Sequence, residues 1–349
     1  MERMKSREVK VGNLGIGGEN PIRIKGMLKS RFSLKEMVKE VKRLEKEGAQ
    51  LIRVAFMKES NLKILKELKK IIQIPLVADI HFHPRLATKA IEAGFDGIRL
   101  NPLNIVHKKD IKKIIKEAKQ RKVSIRIGVN SGGFKRKFSS SFHLASAMVE
   151  VVRGYLRIFE EENFSDIIVS LKAQSVWATV LANRMFRKEF DYPLQIGVTA
   201  TGPYLEGIVK SCLGIGILLS EGIGEVVRVS LLSSSCEEIK IAKAILQFLE
   251  LRYFFPEVIA CPTCSRCSVN LGKIVDKFRK KLGNIQSEKA LRIAIMGCVV
   301  NGPGEAAQAD LGIAFGREKG VIFKEGKVLK RIDKEDSVKE LLERVEDAV

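Results

Sequence analysis

Short apolar stretches of four to six residues recur along the first three-quarters of the chain and alternate with longer amphipathic stretches. Their Ile, Val and Leu content is typical of strands that are buried on both faces. We predict eight strands, at Ile22–Met27, Leu51–Phe56, Leu76–Ile80, Gly97–Leu100, Ser124–Val129, Asp166–Leu171, Leu194–Thr199 and Val226–Leu231. Eight strands alternating with eight helices over about 250 residues indicate an α/β fold, a TIM (β/α)8 barrel.

The amphipathic stretches carry signals for the start and end of helices. Ser33–Glu36 has the serine and glutamate spacing of a capping box, and apolar residues follow at helical period until Gly48. Ser235–Glu238 repeats that spacing before the eighth helix, and Ser140–Glu162 predicts the longest helix. The glycine-rich Gly12–Gly18 segment opens no helix, so it indicates a turn and not a dinucleotide-binding loop.

The pattern changes after Pro256, where we predict a small α+β domain of about 95 residues. Its predicted elements are a basic helix, a strand running into a glycine-rich turn, a hairpin around Glu325-Gly326 and a final helix, at Val269–Leu282, Leu291–Met296, Gly297–Gly304, Val321–Ile332 and Ser337–Val345. We therefore expect a barrel domain over residues 1–252, with strands from about residue 20, and a second domain over residues 253–349.

Composition narrows the class of protein. The chain has 349 residues, 45% hydrophobic and 30% charged, which is typical of a soluble globular protein. Its apolar runs are all shorter than the roughly 18–20 residues that span a bilayer, and the first residues lack the apolar segment of a signal peptide. Six cysteines are too few for a disulfide scaffold of this length. We expect a cytoplasmic protein.

The chain is strongly basic, with 62 Lys and Arg against 41 Asp and Glu and a net charge of +21. This excess favours an anionic partner such as nucleic acid, a membrane surface or a phosphorylated metabolite. Basic runs such as Arg279-Lys280-Lys281 lie in helical stretches and are explained by a solvated helix face. The basic residues within the predicted strands are more informative.

Polar and cationic side chains occur near the carboxyl ends of the predicted strands, where TIM barrels carry their active sites. The candidates are Arg53, Asp79, His81, Arg99, Asn101, Arg126, Asn130, Lys172, Arg228 and Ser230. Burying several cations together is unfavourable unless an anion neutralises them, so we predict a site for a diphosphate or another phosphate-rich small molecule. Asp79 could orient His81 or an arginine, and His81 fits a general acid, a phosphate ligand or a structural histidine equally well.

The cysteines indicate a metal site. Cys261 and Cys264 have the spacing used both by zinc ribbons and by iron–sulfur clusters. Either Cys267 or Cys298 fits as a third ligand, and both together would complete a zinc site. Three cysteines would instead leave one iron of a cluster open for an exchangeable carboxylate such as Glu305. The remaining cysteines, at positions 212 and 236, are expected to be packed thiols, and ligand count alone leaves zinc and iron–sulfur equally favoured.

The combination of motifs resembles the bacterial 4-hydroxy-3-methylbut-2-en-1-yl diphosphate synthase family over essentially the whole chain. The most specific motif is Met296-Gly-Cys-Val-Val-Asn-Gly-Pro-Gly-Glu305, together with Cys261-Pro-Thr-Cys264 and Ala309–Gly316. Barrel fragments carry the resemblance further, at Ile52–Ala55, Ala78–His81, Arg126–Ser131 and Gly214–Leu231.

The resemblance implies a TIM barrel joined to a reductase-like domain that holds a 4Fe-4S cluster. It implies reductive ring opening of 2-C-methyl-D-erythritol 2,4-cyclodiphosphate with loss of water, the penultimate step of the non-mevalonate isoprenoid pathway. The electrons would come from flavodoxin or ferredoxin, in a homodimer whose cluster domains cap the partner barrels. It further implies Cys261, Cys264, Cys298 and an exchangeable, catalytic Glu305 as cluster ligands, with Cys267 a bystander.

The resemblance also gives roles to the residues at the strand ends. The diphosphate would be held by Arg53, Arg99, Arg126, Lys172, Arg228 and Ser230, with Asp79, His81 and Asn130 lining the mouth.

The sequence departs from the family motifs on the substrate side. Lys25-Gly-Met-Leu28 stands where the family has Gln-Ser-Met-Thr, and Leu103 replaces a glycine. Ala200 replaces a glutamate that general acid–base chemistry would use, and Glu206 lies six residues later on the predicted seventh helix.

Two interpretations follow from these departures, a divergent synthase and a paralogous iron–sulfur reductase for another phosphorylated substrate. A zinc-containing nucleic-acid-binding protein is a remote third, since one Trp and four Tyr make a poor stacking surface for single strands.

Overall fold

The computed structural model describes residues 3–30, 33–283 and 285–348. It divides into two compact units, Met1–Leu251 and Arg252–Val349. None of the described helices combines the length and apolar character required to cross a membrane.

The first unit contains eight parallel strands in the order expected of a barrel. An antiparallel hairpin, β1 (Val9–Val11) and β2 (Leu14–Ile16), precedes them. The parallel strands are β3 (Arg23–Met27), β4 (Leu51–Ala55), β5 (Leu76–Asp79), β6 (Gly97–Leu100), β7 (Ser124–Asn130), β8 (Ile167–Lys172), β9 (Gln195–Ile196) and β10 (Val226–Val227). The ring closes between β8 and β9 through a bridge of Val169 with Leu194. The predicted barrel is therefore confirmed.

Eight helices follow the eight strands and form the outer layer of the unit. They are α1 (Leu34–Glu47), α2 (Leu62–Ile71), α3 (Pro84–Glu92), α4 (Lys108–Arg121), α5 (Ser141–Glu161), α6 (Val176–Glu189), α7 (Tyr204–Ser220) and α8 (Ser235–Phe248). As predicted, α5 is the longest, and Ser140 caps it by accepting a hydrogen bond from the His143 amide.

Two predicted capping boxes differ from the observed helix starts. Ser33 occupies the N-cap position of α1, but its side chain makes no capping hydrogen bond. The cap of α8 is Ser234, one residue earlier than predicted, and it accepts from the Glu237 amide. Ser235 instead donates to the Met27 carbonyl, at 2.6 Å, which ties α8 to the end of β3.

Strands seven and eight are shorter than the apolar stretches that predicted them. The backbone leaves the regular ladder at Gly197, whose φ is +149°, so β9 stops at Ile196. Pairing nevertheless continues at single positions, since the Arg228 amide donates to the Ile196 carbonyl at 3.1 Å.

The hairpin covers the amino ends of the barrel strands. Its apolar residues Val9, Val11 and Ile16 pack against Leu51, Val77, Ile168 and Val226 in one buried cluster. The amino end is thus filled with apolar side chains, and polar groups lie toward the carboxyl ends of the strands.

The second unit is an α+β domain with a five-stranded mixed sheet. Its strands are β11 (Glu257–Ala260), β12 (Arg292–Met296), β13 (Leu311–Phe315), β14 (Lys319–Lys324) and β15 (Lys327–Asp333), paired in that order. The first three are parallel and the last three antiparallel. The helices are α9 (Leu271–Leu282), α10 (Gly302–Gln308) and α11 (Ser337–Glu346).

Part of this unit differs from the sequence-based expectation. Strands β11 and β13 were not among the predicted elements. The predicted glycine-rich turn, Gly297–Gly304, ends early because α10 begins at Gly302, with Pro303 in its first turn, where a missing N–H is tolerated.

Candidate active site

The direction of side chains along β3 shows which residues enter the barrel. A Cβ added to Gly26 would lie 3.5 Å from Leu44 of α1, so position 26 faces the outer helices. Since successive side chains in a strand point to opposite faces, Lys25 and Met27 point inward. The Arg53 Nε lies 3.1 Å from the Met27 sulfur and therefore faces the same interior.

Asp79 is the central anion of the interior. Its Oδ2 lies 3.6 Å from the Arg53 Nε, and its Oδ1 lies 3.5 Å from the Arg99 Nη1. The His81 Nε2 is hydrogen bonded to Oδ2 at 3.2 Å, while 42% of the His81 side chain remains exposed. Burial opposes ionisation, but Arg53, His81 and Arg99 hold the pKa of Asp79 far below its ordinary range.

Two glycines make room for the cationic side chains. A Cβ on Gly128 would lie 2.8 Å from the Arg99 Nε, and Arg99 donates to the Gly128 carbonyl at 2.8 Å. A Cβ on Gly197 would lie 2.6 Å from the Lys172 Nζ. Side chains at these two positions would therefore displace Arg99 and Lys172.

Arg126 and Lys172 are buried and have few partners. Arg126 donates to the Ser170 hydroxyl at 2.9 Å, and the Lys172 Nζ lies 3.4 Å from the Ile196 carbonyl. Burial, reinforced by Arg53 and Arg99, lowers the pKa of Arg126 well below its ordinary value. Burial and neighbouring cations, Arg228 first among them, likewise lower the pKa of Lys172.

A second carboxylate, from α8, stands beside Arg228. The Glu238 Oε2 lies 3.6 Å from the Arg228 Nη2, and Oε1 accepts from the Leu231 amide at 2.9 Å and from Lys29 at 3.0 Å. Arg228 also donates to the Ser230 hydroxyl. Burial, reinforced by Arg53, lowers the pKa of Arg228 to about 10.

These side chains form one strongly positive cluster, which we call the cationic mouth. It consists of Lys25, Arg53, Arg99, Arg126, Lys172 and Arg228. Among the described residues of this cluster, Asp79 and Glu238 are the carboxylates, so the six basic side chains outnumber the acidic ones by four. Among the described residues, the Nε atoms of Arg99, Arg126 and Arg228 and the Nη2 of Arg126 are buried without a hydrogen-bond acceptor.

The structure brings most of the predicted barrel residues together. Arg53, Asp79, His81, Arg99, Arg126, Lys172, Arg228 and Ser230 all belong to this contact network. Asn130, at the end of β7, is half-buried and pairs in register with Lys172. Asn101 has a local role, since its Oδ1 accepts from the Leu103 amide at 3.2 Å.

Sequence reasoning missed Lys25, Ser170 and Glu238 as members of the site. The sequence did carry a signal for Lys25. It lies two residues before Met27, so the two side chains share one face of the strand, and the glycine between them faces the outer helices. Glu238 was predicted only as the glutamate of a capping box, and although Arg228 is ten residues away, a helical position gives no sign that its side chain reaches the strand ends.

The segment after β9 borders the mouth without adding a carboxylate. Ala200 is exposed and has a φ of +47°, and the Thr201 hydroxyl donates to the Ser230 carbonyl at 2.6 Å. Glu206 lies, as predicted, on α7, in its first turn, where it is exposed.

In the second unit, the parallel pairing of β11 and β12 places the cysteine motifs at the carboxyl ends of these two strands. Ala260 pairs with Ile295 in the parallel strands β11 and β12, so Cys261 and Cys298 follow the carboxyl ends of adjacent strands. The Ser268 amide donates to the Gly297 carbonyl at 2.8 Å, which holds the loop after Cys264 next to the Cys298 turn.

The candidate ligands differ in their surroundings. The backbone amides of Val300, Asn301 and Gly302 lower the pKa of Cys298. Cys264 and Glu305 are exposed, and Cys261 is half-buried. Within the described part of the chain, no three His, Cys, Asp or Glu side chains are assembled as a metal site.

The other cysteines have separate positions. Cys267 is half-buried, and its thiol donates to the Val269 carbonyl at 3.2 Å. Cys236 is also half-buried. Cys212 is exposed on α7, so the expectation of a packed thiol is wrong there, because position 212 faces away from the barrel.

Comparison with known families identifies both units. Residues 6–243 match the GcpE TIM-barrel domain, and residues 257–347 match the GcpE protein C-terminal domain. The chain is 44% identical to a protein of Thermodesulfovibrio yellowstonii named 4-hydroxy-3-methylbut-2-en-1-yl diphosphate synthase (flavodoxin), over 99% of each chain. A protein of the same name from Caldanaerobacter subterraneus subsp. tengcongensis is 43% identical, over 99% of this chain and 98% of its own.

Solved structures support the barrel fold. Dihydropteroate synthase from Stenotrophomonas maltophilia aligns with a TM-score of 0.53 and 14% identity, covering 69% of this chain and 98% of that one. Dihydropteroate synthase from Xanthomonas albilineans gives a TM-score of 0.52 at 14% identity, with the same coverage. At such low identity the likeness concerns the fold alone.

Proposed function

The chain belongs to the GcpE family, and on that premise we propose that it is a 4-hydroxy-3-methylbut-2-en-1-yl diphosphate synthase. The reaction opens the ring of 2-C-methyl-D-erythritol 2,4-cyclodiphosphate, adds two electrons and two protons, and releases one water. Relatives at 39–44% identity that span nearly the whole chain carry this name.

The observation that carries the proposal is the uncompensated charge of the cationic mouth. Buried guanidinium nitrogens of Arg99, Arg126 and Arg228 lack acceptors among the described residues. Buried donors are normally satisfied, and an anion with several oxygens would satisfy them. A cyclic diphosphate supplies two adjacent anionic groups in one small molecule, which fits both the excess charge and the unsatisfied donors.

The barrel residues then have distinct roles in our proposal. Arg53, Arg99, Arg126, Lys172, Arg228 and Ser230 bind the diphosphate, and Asn130 contacts the substrate at the rim. Asp79 holds Arg53 and Arg99 in place and orients His81. His81 is our candidate for donating a proton to a substrate oxygen, because it is half-exposed and hydrogen bonded at a single ring nitrogen.

We propose that the second unit holds a 4Fe-4S cluster through Cys261, Cys264, Cys298 and an exchangeable Glu305. Three thiols and one carboxylate are a suitable donor set, and the amides around Cys298 favour the thiolate that binds iron. The bound cluster would pass the two electrons from the external donor to the substrate one at a time. Cys267 stays outside this set, since its thiol already has a backbone acceptor.

The proposed partners follow from the relatives and from the surface charge. The relatives' names specify flavodoxin, and a chain of net charge +21 suits an acidic electron carrier. We also propose a homodimer in which each cluster domain caps the partner's barrel. Exposed apolar side chains on the barrel helices, namely Trp177, Leu205, Val209 and Leu213, support a protein–protein contact.

The function is tested by turnover of the cyclodiphosphate. The full chain is loaded with iron and sulfide without oxygen and supplied with a strong artificial reductant, and the product is identified by NMR. The proposal predicts the open-chain allylic diphosphate. A fully loaded protein that binds the cyclodiphosphate but forms no product would instead favour a reductase for another phosphorylated substrate, as the alanine at position 200 allows.

A further inference from the structure

Lys25 is the member of the cationic mouth that the family motifs do not explain, since the resembling motif has glutamine there. Its residue is only 4% exposed, and its Nζ has no hydrogen bond or ion pair with any described residue. The other cations of the mouth each have a carboxylate, hydroxyl, sulfur or carbonyl neighbour. Lys25 is therefore a buried lysine whose amine has no hydrogen-bond or ion-pair partner among the described residues.

We propose that Lys25 is a further ligand for the diphosphate, one that takes up a proton when the anion binds. This inference rests on the proposed function, because it assigns the diphosphate to the cationic mouth. Because Lys25 is buried among cations and has no described counter-ion of its own, we assign its amine the uncharged form in the free protein. When the anion enters, the amine becomes an ammonium and donates to a phosphate oxygen.

The charges around Lys25 explain this behaviour. Arg53 on β4, Arg126 on β7 and Lys172 on β8 all disfavour the ammonium, and Asp79 on β5 favours it. Burial and these cations hold the pKa of Lys25 well below its ordinary value. On the elements adjoining β3, the other charged groups toward the mouth are Arg228, Lys29 and Glu238. The Glu238 carboxylate already forms ion pairs with Lys29 and Arg228.

A bound diphosphate would change the electrostatic environment of the Lys25 amine from positive to negative. Two phosphate charges next to the Lys25 amine offset the guanidinium groups and supply acceptor oxygens, so protonation becomes favourable. The ligand's own protonation does not interfere, because each phosphorus of a cyclic diphosphate carries one ester and one anhydride link, which leaves a single, strongly acidic group whose charge is constant around neutral pH. A proton taken up on binding therefore goes to the protein.

The test is calorimetric titration of the cluster-loaded, oxidised full chain with the cyclodiphosphate, without reductant, at about pH 8 in buffers of different ionisation enthalpy. The difference between buffers gives the number of protons taken up. We expect Lys25→Gln, which restores the family residue, to take up about one proton fewer than the wild type and to bind about tenfold more weakly. Lys116→Gln removes an exposed lysine from α4 and should match the wild type.

A second readout separates this role from a structural one. Removing an uncompensated buried amine should raise the thermal midpoint of the ligand-free protein, for Lys25→Gln and for Lys25→Met alike. A structural lysine would give a lower midpoint. Unchanged proton uptake in Lys25→Gln, or lower midpoints in both variants, would overturn the proposal.

The inference and the proposed function fail in different ways. If the wild type turns the cyclodiphosphate over while Lys25→Gln shows normal proton uptake, the synthase function stands and the role of Lys25 is wrong. If no turnover occurs, the same titration with P1,P2-dimethyl diphosphate decides the matter, because each of its phosphorus atoms keeps one constant charge around neutral pH. A Lys25-dependent difference in proton uptake with this probe would support the role of Lys25 at a diphosphate site with another substrate, and equal uptake would refute it.

Discussion

Replacing Asp79 by asparagine removes the central counter-ion of the cationic mouth while preserving its shape. In the native barrel this carboxylate lies within 3.6 Å of Arg53 and 3.5 Å of Arg99, and its side chain is 5% exposed. Removing one partner of a buried ion pair costs about 3–5 kcal/mol, because the other charge is left uncompensated. For a barrel of this size that corresponds to a fall in the thermal midpoint of roughly 6–20 °C.

The unfolding of the barrel can be followed separately from that of the second unit. The chain has one tryptophan, Trp177 of α6, which is 57% exposed, so the barrel is followed by the anisotropy of its fluorescence, with circular dichroism as a second probe. Asp166→Asn, which changes an exposed aspartate immediately before β8, is the matched control and should shift stability by less than about 0.5 kcal/mol.

The stability contributed by the Asp79 carboxylate should depend on pH in a defined direction. Because the pKa of Asp79 is lowered in the folded protein, its stabilisation is complete above the unfolded value of about 3.9 and is lost as the pH falls through the lower folded value. The difference in the free energy of unfolding between wild type and Asp79→Asn should have its maximum value at neutral pH and should become smaller in acid. A gap of less than about 1 kcal/mol at neutral pH would refute the assignment of Asp79 as the counter-ion.

Three further predictions concern binding, the cluster and the electron donor. Arg126→Met and Lys172→Met should each weaken binding of the cyclodiphosphate by about 10–100-fold in calorimetric titrations, at unchanged iron content, because each removes a charged hydrogen-bond donor. Native affinity in both variants would contradict the diphosphate site. Cys298→Ser should lose iron and acid-labile sulfide after anaerobic reconstitution while Cys267→Ser retains them, and the reverse result would exchange the two assignments. Turnover driven by flavodoxin should fall steeply between about 50 and 200 mM salt, whereas turnover driven by a small artificial reductant should not, and equal salt dependence would argue against electrostatic docking.

Much of the barrel was predictable because its signals are local. Apolar stretches of strand length, separated by amphipathic helices, predicted eight units, and Gly97–Leu100 coincides with β6. Arg53, Arg99 and Arg126 stand out because a cation inside an apolar stretch is costly unless it is functional. Their convergence follows from parallel strands sharing one carboxyl end.

The parts that were not predictable depend on contacts between distant segments. Glu238 reaches Arg228 from a helix, and the free amine of Lys25 matters because its neighbours come from other strands. Strand β11 carries a weak apolar pattern and is defined by its pairing with β12. A glycine-rich segment reads as a turn, but Pro303 favours the first turn of a helix, and α10 forms there.

The diphosphate site and the synthase activity are tested together by a paired turnover measurement on the wild type and Arg126→Met, loaded with iron and sulfide side by side. We expect the wild type to convert the cyclodiphosphate into the allylic diphosphate. At low substrate concentration, the variant should react at least about tenfold more slowly with the same iron content, because it has lost one charged ligand for the diphosphate. Absence of product from a fully loaded wild type, or equal rates for the two proteins, would contradict this expectation.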